Sequence, residues 1–280
     1  MRYSSLILVI IFTLTSISCA TEGKTKQPPT NIFSISRQNC VRILIAGKPA
    51  GTGFFIHKSH IATCCHVITA NVVVDPKKNK FEWTAHEKIF VQCPSGEKIE
   101  ATCVSRPTKQ DMSPLVHDFA VLKLKKKPRI EGAVLPFFTW GDVPSVGSDV
   151  YFSGYPLGAP AKLTHKGMVS GLAPNHDIIC IQAPINKGNS GSALLNSDGD
   201  ILGIVSMREG GISKGLKKLR KYITKTEKHG SVKLMGVDPL QSTKEIVNVM
   251  DLYISTGIGY AISSKHLKIY LDKTKILEIE

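Results

Sequence analysis

A serine framed by glycines is the feature that most narrows the folds open to this chain. The segment Pro184-Ile185-Asn186-Lys187-Gly188-Asn189-Ser190-Gly191-Ser192-Ala193-Leu194-Leu195 passes from a polar turn into an apolar strand pattern. That pattern resumes at Ile201-Leu202-Gly203-Ile204-Val205-Ser206. Glycine on both sides lets the backbone take positive φ and come close to another segment. Such a turn can aim successive N–H groups at one point, as an oxyanion hole requires. Taken alone the run also fits an ordinary hairpin turn, since Gly, Asn and Ser dominate turns.

A nucleophilic serine needs a base, and the base needs an orienting carboxylate. Two strand-like settings offer them. Gly51-Thr52-Gly53-Phe54-Phe55-Ile56-His57 precedes Ile61-Ala62-Thr63-Cys64-Cys65-His66-Val67-Ile68, and His117-Asp118 precedes Phe119-Ala120-Val121-Leu122. A lone histidine on an apolar segment is more often a satisfied core residue, and a carboxylate ahead of a strand is often only a cap. The Gly-Thr-Gly strand before His66 singles that histidine out from the other eight, while Asp111, Asp142 and Asp149 lie near turn signals and read as surface residues. The order His, Asp, Ser is that of the chymotrypsin-like triad.

Short strands separated by Gly/Pro turns recur through the body of the chain, which points to an all-β barrel or sandwich. Its length suits one domain of that class, and a hydrophobic content of 42% is enough for a full core. Lys and Arg outnumber Asp and Glu by 36 to 22, a formal charge of +14. Such a field favours acidic surfaces, anionic headgroups or nucleic acid. No RRM, KH, zinc-finger or helix-turn-helix pattern accompanies it, so sequence-specific nucleic-acid binding is not expected. There is no C-x-x-C metal pair, and disulfide connectivity stays open.

Seven segments in order resemble the trypsin-like serine peptidases, and within them the bacterial HtrA/Deg-like branch. They are GTGFFI, ATCCHV, HDFAVLKL, GYPLG, GMVSG, INKGNSGSALLNSDGDILGIVS and TGIGYAIS, and they span the chain from about residue 40 to its end. The resemblance implies a double six-stranded antiparallel β-barrel with a C-terminal helix, to which this chain adds a helical insertion that the family domain does not need. It implies His66 as general base, Asp118 as its orienting carboxylate and Ser190 as nucleophile, with no cofactor and no metal. The N–H groups of Gly188 and Ser190 would form the oxyanion hole. Asn189 stands where zymogen-type relatives carry an aspartate, so activity is expected without an activated N-terminus. Ile185, Val205 and Ser206 fall at positions that line the substrate cleft, and the two apolar ones imply an apolar P1 side chain rather than glutamate.

Residues 1–20 read as a signal peptide, too short in its apolar run to span a membrane. Ile17-Ser18-Cys19 resembles a lipobox, so both plain cleavage and lipidation at Cys19 stay open. Residues 21–32 read as a flexible tether, and residues 33–280 as the protease domain. An exported location in the periplasm, envelope or medium follows, with protein or peptide substrates and no transmembrane span in the mature chain. The insertion at about 209–254 carries Ile212, Leu216, Leu219 and Ile223 at helical spacing among many lysines. It fits either a solvated helical hairpin or a basic element for an acidic partner or anionic surface. Only about ten residues follow the closing helix, so a PDZ domain and its regulation are not expected. Two rival readings remain: an α/β-hydrolase, and a protease-fold binding protein with little turnover.

Overall fold

The computed structural model describes residues 31–75, 80–105, 117–129, 139–157, 159–208, 214–227, 230, 233–253 and 257–275. The predicted leader and Cys19 lie outside these residues. Two closed six-stranded barrels dominate. The first orders its strands β1 (Cys40–Ile45), β2 (Lys48–His57), β3 (His60–Thr63), β8 (Ala120–Leu124), β7 (Lys98–Ser105) and β6 (Ile89–Gln92). The short pair β4 (Thr69–Asp75) and β5 (Lys80–Ala85) forms a separate antiparallel ribbon. The second barrel is built from β9 (Asp149–Gly154), β10 (Leu163–Leu172), β11 (Ile178–Gln182), β14 (Ile258–Ser263), β13 (Ile201–Arg208) and β12 (Ala193–Leu195). The pairings among these strands are antiparallel, as the sequence predicts.

Alternation explains the barrel walls. Along β6, Ile89 and Val91 turn inward while Phe90 and Gln92 are half-buried, the period of two expected of a strand with one core face. β2 departs from that rule, with Gly51 to Phe55 buried on both sides. Its outer face lies against the other barrel: the Thr52 N–H donates to the Ser190 carbonyl at 2.9 Å. Val41, Ile43, Phe54, Ile61, Val91 and Leu122 belong to the first core, and Val150, Phe152, Ile181, Leu194 and Leu202 to the second.

Helices close the ends. α1 (Asn31–Asn39) packs on β9. Its Ile32 is buried, Phe33 meets Tyr151 edge-on at 5.4 Å, and Ser36 Oγ donates to Ser153 Oγ at 2.8 Å. The folded body thus begins before residue 33, and Ile32 belongs to it rather than to the tether. One helical turn, α2 (Cys65–Ile68), follows β3. The insertion forms α3 (Lys214–Thr226) and α4 (Pro239–Tyr253); Ile212 lies outside the described residues. α5 (Ser264–Thr274) closes the chain, capped by Ser263 Oγ and clasped to the β10–β11 turn through Lys265 and His266 on Asp177. Hydrogen bonds from Lys265 and His266 hold the Asp177 carboxyl below its ordinary value, the Lys265 bond contributing most.

Candidate active site

The predicted nucleophile sits at the junction of the barrels, on a loop that only glycine can complete. Gly188 and Gly191 take φ of +98° and +93°. A Cβ on Gly188 would lie 2.3 Å from the Tyr155 carbonyl oxygen, and one on Gly191 would lie 1.9 Å from that of Thr52. Both distances are far inside contact, so any side chain would push the loop off its supports. Those supports come from both barrels. The Gly191 N–H donates to the Val205 carbonyl at 2.7 Å, and the Val205 N–H to the Ser192 carbonyl at 2.9 Å.

Thr52 is the cross-barrel clasp. Buried in β2, it donates through Oγ1 to the Gly188 carbonyl at 2.6 Å and accepts there from the Tyr155 N–H at 3.0 Å. Its own carbonyl accepts from Thr63 Oγ1 at 2.6 Å. One side chain therefore fixes the height of the Gly188 peptide against the first barrel.

The Lys187 carbonyl accepts from the Leu157 N–H at 2.7 Å. In a trans peptide the C=O and N–H point in opposite directions, so this bond turns the Gly188 N–H away from Leu157. Among the described residues, neither the Gly188 nor the Ser190 N–H has an acceptor. Two donors two residues apart, left open on a rigid loop, suit an incoming oxyanion.

His66 and Asp118 meet through two bonds. The His66 backbone N–H donates to Asp118 Oδ1 at 2.8 Å, and its Nδ1 lies 2.6 Å from Oδ2. A carboxylate acceptor at Nδ1 requires the proton there, which leaves Nε2 with its lone pair. Asp118 is buried and the imidazole is 48% exposed, so the pair is anchored inside and open outside. Ser206 Oγ adds a third bond to Asp118, reaching Oδ2 at 2.7 Å. The Ser206 carbonyl accepts from the Ser190 hydroxyl at 2.8 Å.

Cys64, one residue before α2, completes the lining. Its Sγ, a nitrogen of His66 and a carboxylate oxygen of Asp118 lie within 4.8 Å of one another, a spacing that could hold a metal ion. The donors do not suit that use. Asp118 already accepts three hydrogen bonds, and the Cys64 thiol donates to the Val205 carbonyl at 3.3 Å. Burial, then the Asp118 charge, pushes the Cys64 thiol well above its ordinary value, whereas metal binding needs the thiolate. Burial also raises Cys65, Cys40 to about 12 and Cys93 to about 11.

His66, Asp118 and the Gly188–Ser190 loop, predicted from three separate motifs, are thus brought to one junction. Ile185 and Val205, predicted to line the cleft, lie buried among the core residues of the second barrel. Ser206, predicted for the cleft as well, turns its hydroxyl to Asp118 instead of outward. The sequence reading passed over Thr52 and Cys64 as individual residues. The only local hint of Thr52 is a β-branched residue between two glycines.

A family model for the trypsin-like peptidase domain matches residues 51–204, from the Gly-Thr-Gly strand through the serine loop into β13. The chain belongs to the trypsin-like peptidase family. Its relatives include proteins named DegP-like. It is 25% identical over 214 residues to a protein named "Probable periplasmic serine endoprotease DegP-like" from Buchnera aphidicola subsp. Baizongia pistaciae, covering 69% of this chain and 44% of that one. A protein of the same name from Chlamydia pneumoniae is 31% identical over 163 residues, covering 55% of this chain and 28% of that one. This trypsin-like chain spans less than half the length of these curated relatives. The fold is shared with the serine endoprotease from Yersinia pestis, with a TM-score of 0.54 at 20% identity over 87% of this chain and 65% of that one. It is shared too with the active form of Rv3671c protease from M. tuberculosis, with a TM-score of 0.52 at 18% identity over 86% and 83% of the two chains.

Proposed function

We propose that this trypsin-like chain is a serine endopeptidase that cleaves proteins through an acyl-enzyme on Ser190. The observation that carries the reading is the doubly bonded His66–Asp118 pair beside a serine held between two positive-φ glycines. A rotation about the Ser190 Cα–Cβ bond moves its proton from the Ser206 carbonyl toward His66 Nε2. Such contacts are often incomplete before substrate binds. Nε2 takes the proton as Oγ attacks the scissile carbonyl, and the imidazolium is stabilised by Asp118. The oxyanion is received by the Gly188 and Ser190 N–H groups. His66 then protonates the leaving amine, and water, deprotonated by His66, hydrolyses the ester and returns Ser190.

An apolar P1 preference rests on the sequence positions of Ile185 and Val205, both of whose side chains pack in the second-barrel core. Comparing hydrolysis of peptides with Leu or Glu at P1 tests it, and a preference for Glu overturns it. The names of the periplasmic relatives and the apolar leader support export to the cell envelope. Among the described residues, no helix is long and apolar enough to cross a membrane. Lipidation at Cys19 is tested by palmitate labelling with and without Cys19→Ala.

A fluorophosphonate probe tests the central reading. Folded protein should label, while Ser190→Ala and heat-denatured protein should not. Folded protein that stays unlabelled would favour the binding-protein reading, for which the Ser190–Ser206 bond is the supporting observation.

A further inference from the structure

α3 contains six basic residues in thirteen and no acidic one. Glu227, just past its end, pairs with Lys244 of α4 at 2.5 Å. The C-terminal end of α3 therefore lies against the first half of α4, and the two helices run antiparallel. Ile223 and Val247, each buried, form the seam between them.

Helical geometry sorts the remaining side chains. At about 100° per residue, Leu219 and Tyr222 fall to one side of Ile223 on α3. Ile246, Val249 and Met250 fall to one side of Val247 on α4. In an antiparallel pair these are the same side of the hairpin. All five are exposed, Tyr222 at 64% and Ile246 at 59%. The connection carries further exposed apolar side chains. Leu234 and Val237 exchange backbone bonds of 2.8 and 3.0 Å across a tight turn. Met235 and Gly236 at its tip both take positive φ, +49° and +83°, a two-residue turn of the hairpin type. It holds Leu234, Met235 and Val237 in solvent, Met235 completely.

We propose that this α3–α4 arm docks on an anionic phospholipid surface, apolar side down. Lys218, Lys221 and Lys225 are exposed and, among the described residues, have no acidic partner. Three acids of the arm are engaged internally: Glu227 by Lys244, Asp238 as the cap of α4, and Glu245 by Gln241. A bilayer interface satisfies both halves of this pattern, with apolar side chains entering the headgroup–acyl boundary and lysine amines reaching phosphate. A second copy of the chain would oppose one cationic α3 with another. Nucleic acid would use the lysines and leave the apolar side in water. The inference stands apart from the catalytic reading, because the arm lies outside the span matched by the family model.

The test is sedimentation of the chain from Thr21 onward with vesicles of phosphatidylcholine alone or with about 30% phosphatidylglycerol. Binding is expected only to the anionic vesicles, and it should weaken as salt is added. Lys218→Gln and Lys225→Gln should each lower the partition coefficient about fivefold. Tyr222→Ser and Ile246→Ser should each lower it about tenfold, with unchanged circular dichroism and unchanged hydrolysis of a soluble peptide. Equal binding to both vesicles, or none to either, overturns the proposal. Loss in the lysine variants without loss in the apolar ones overturns it in favour of a general polyanion site. A dimer in light scattering that Ile246→Ser disperses overturns it in favour of a second copy.

Discussion

The barrel junction and the helical arm handle polar and apolar groups in opposite ways. At the junction, Thr52, Asp118 and Ser206 are buried and paired, and Asp118 alone accepts three bonds, while the buried Asn189 amide has no hydrogen-bond partner among the described residues. On the arm, lysines and apolar side chains stand side by side in water. A buried polar network fixes geometry because each member left unpaired is costly. An exposed apolar surface fixes nothing by itself and gains only when something covers it. The contrast separates a part of the molecule built for orientation from a part built for contact.

Mutation should expose that contrast as a graded series in peptide hydrolysis. Ser190→Ala, His66→Ala and Asp118→Asn should each lower kcat by about four orders of magnitude or more. Retention of activity within tenfold in Ser190→Ala would remove the junction from the chemistry. Thr52→Val keeps the shape but strips Oγ1, leaving the Gly188 carbonyl and the Tyr155 N–H unpaired. Stability should fall by about 1–3 kcal/mol, and kcat should fall by roughly a hundredfold as the oxyanion donors lose their support. Denaturant melts beside kinetics would separate the two losses. Ser206→Ala removes one of three bonds to Asp118 and should lower kcat by about tenfold, with KM nearly unchanged. At the far end, Met235→Ser should leave hydrolysis of a soluble peptide within twofold and stability within about 0.5 kcal/mol. A large kinetic effect there would mean that the arm reaches the cleft and that the two regions are one.

What the sequence disclosed follows the range of the interactions. His66, Asp118, Ser190 and Gly188 were readable because they are embedded in three short runs of strand or turn residues. The barrels were readable from alternation and turn spacing, and α3 and α4 from their period. Thr52 was not, since its partners Gly188 and Tyr155 lie 136 and 103 residues away. Ser206 was placed near the cleft, but its bond to Asp118 spans 88 residues and leaves no local mark. α1 went unread as a helix for the same reason. The nine residues of NIFSISRQN look polar and irregular until Ile32, Phe33 and Ser36 find the second barrel.

The Cys64 thiol reaches from the first barrel to the Val205 carbonyl in the second. It stands two residues from His66 and is kept protonated by its surroundings. Alkylating reagents attack thiolates, so in the closed molecule this sulfur is chemically silent. Parting of the two halves breaks its bond to Val205 and exposes it. Its alkylation rate in native buffer is then a stopwatch for that event, read at the very place where the two halves must stay together for chemistry to occur.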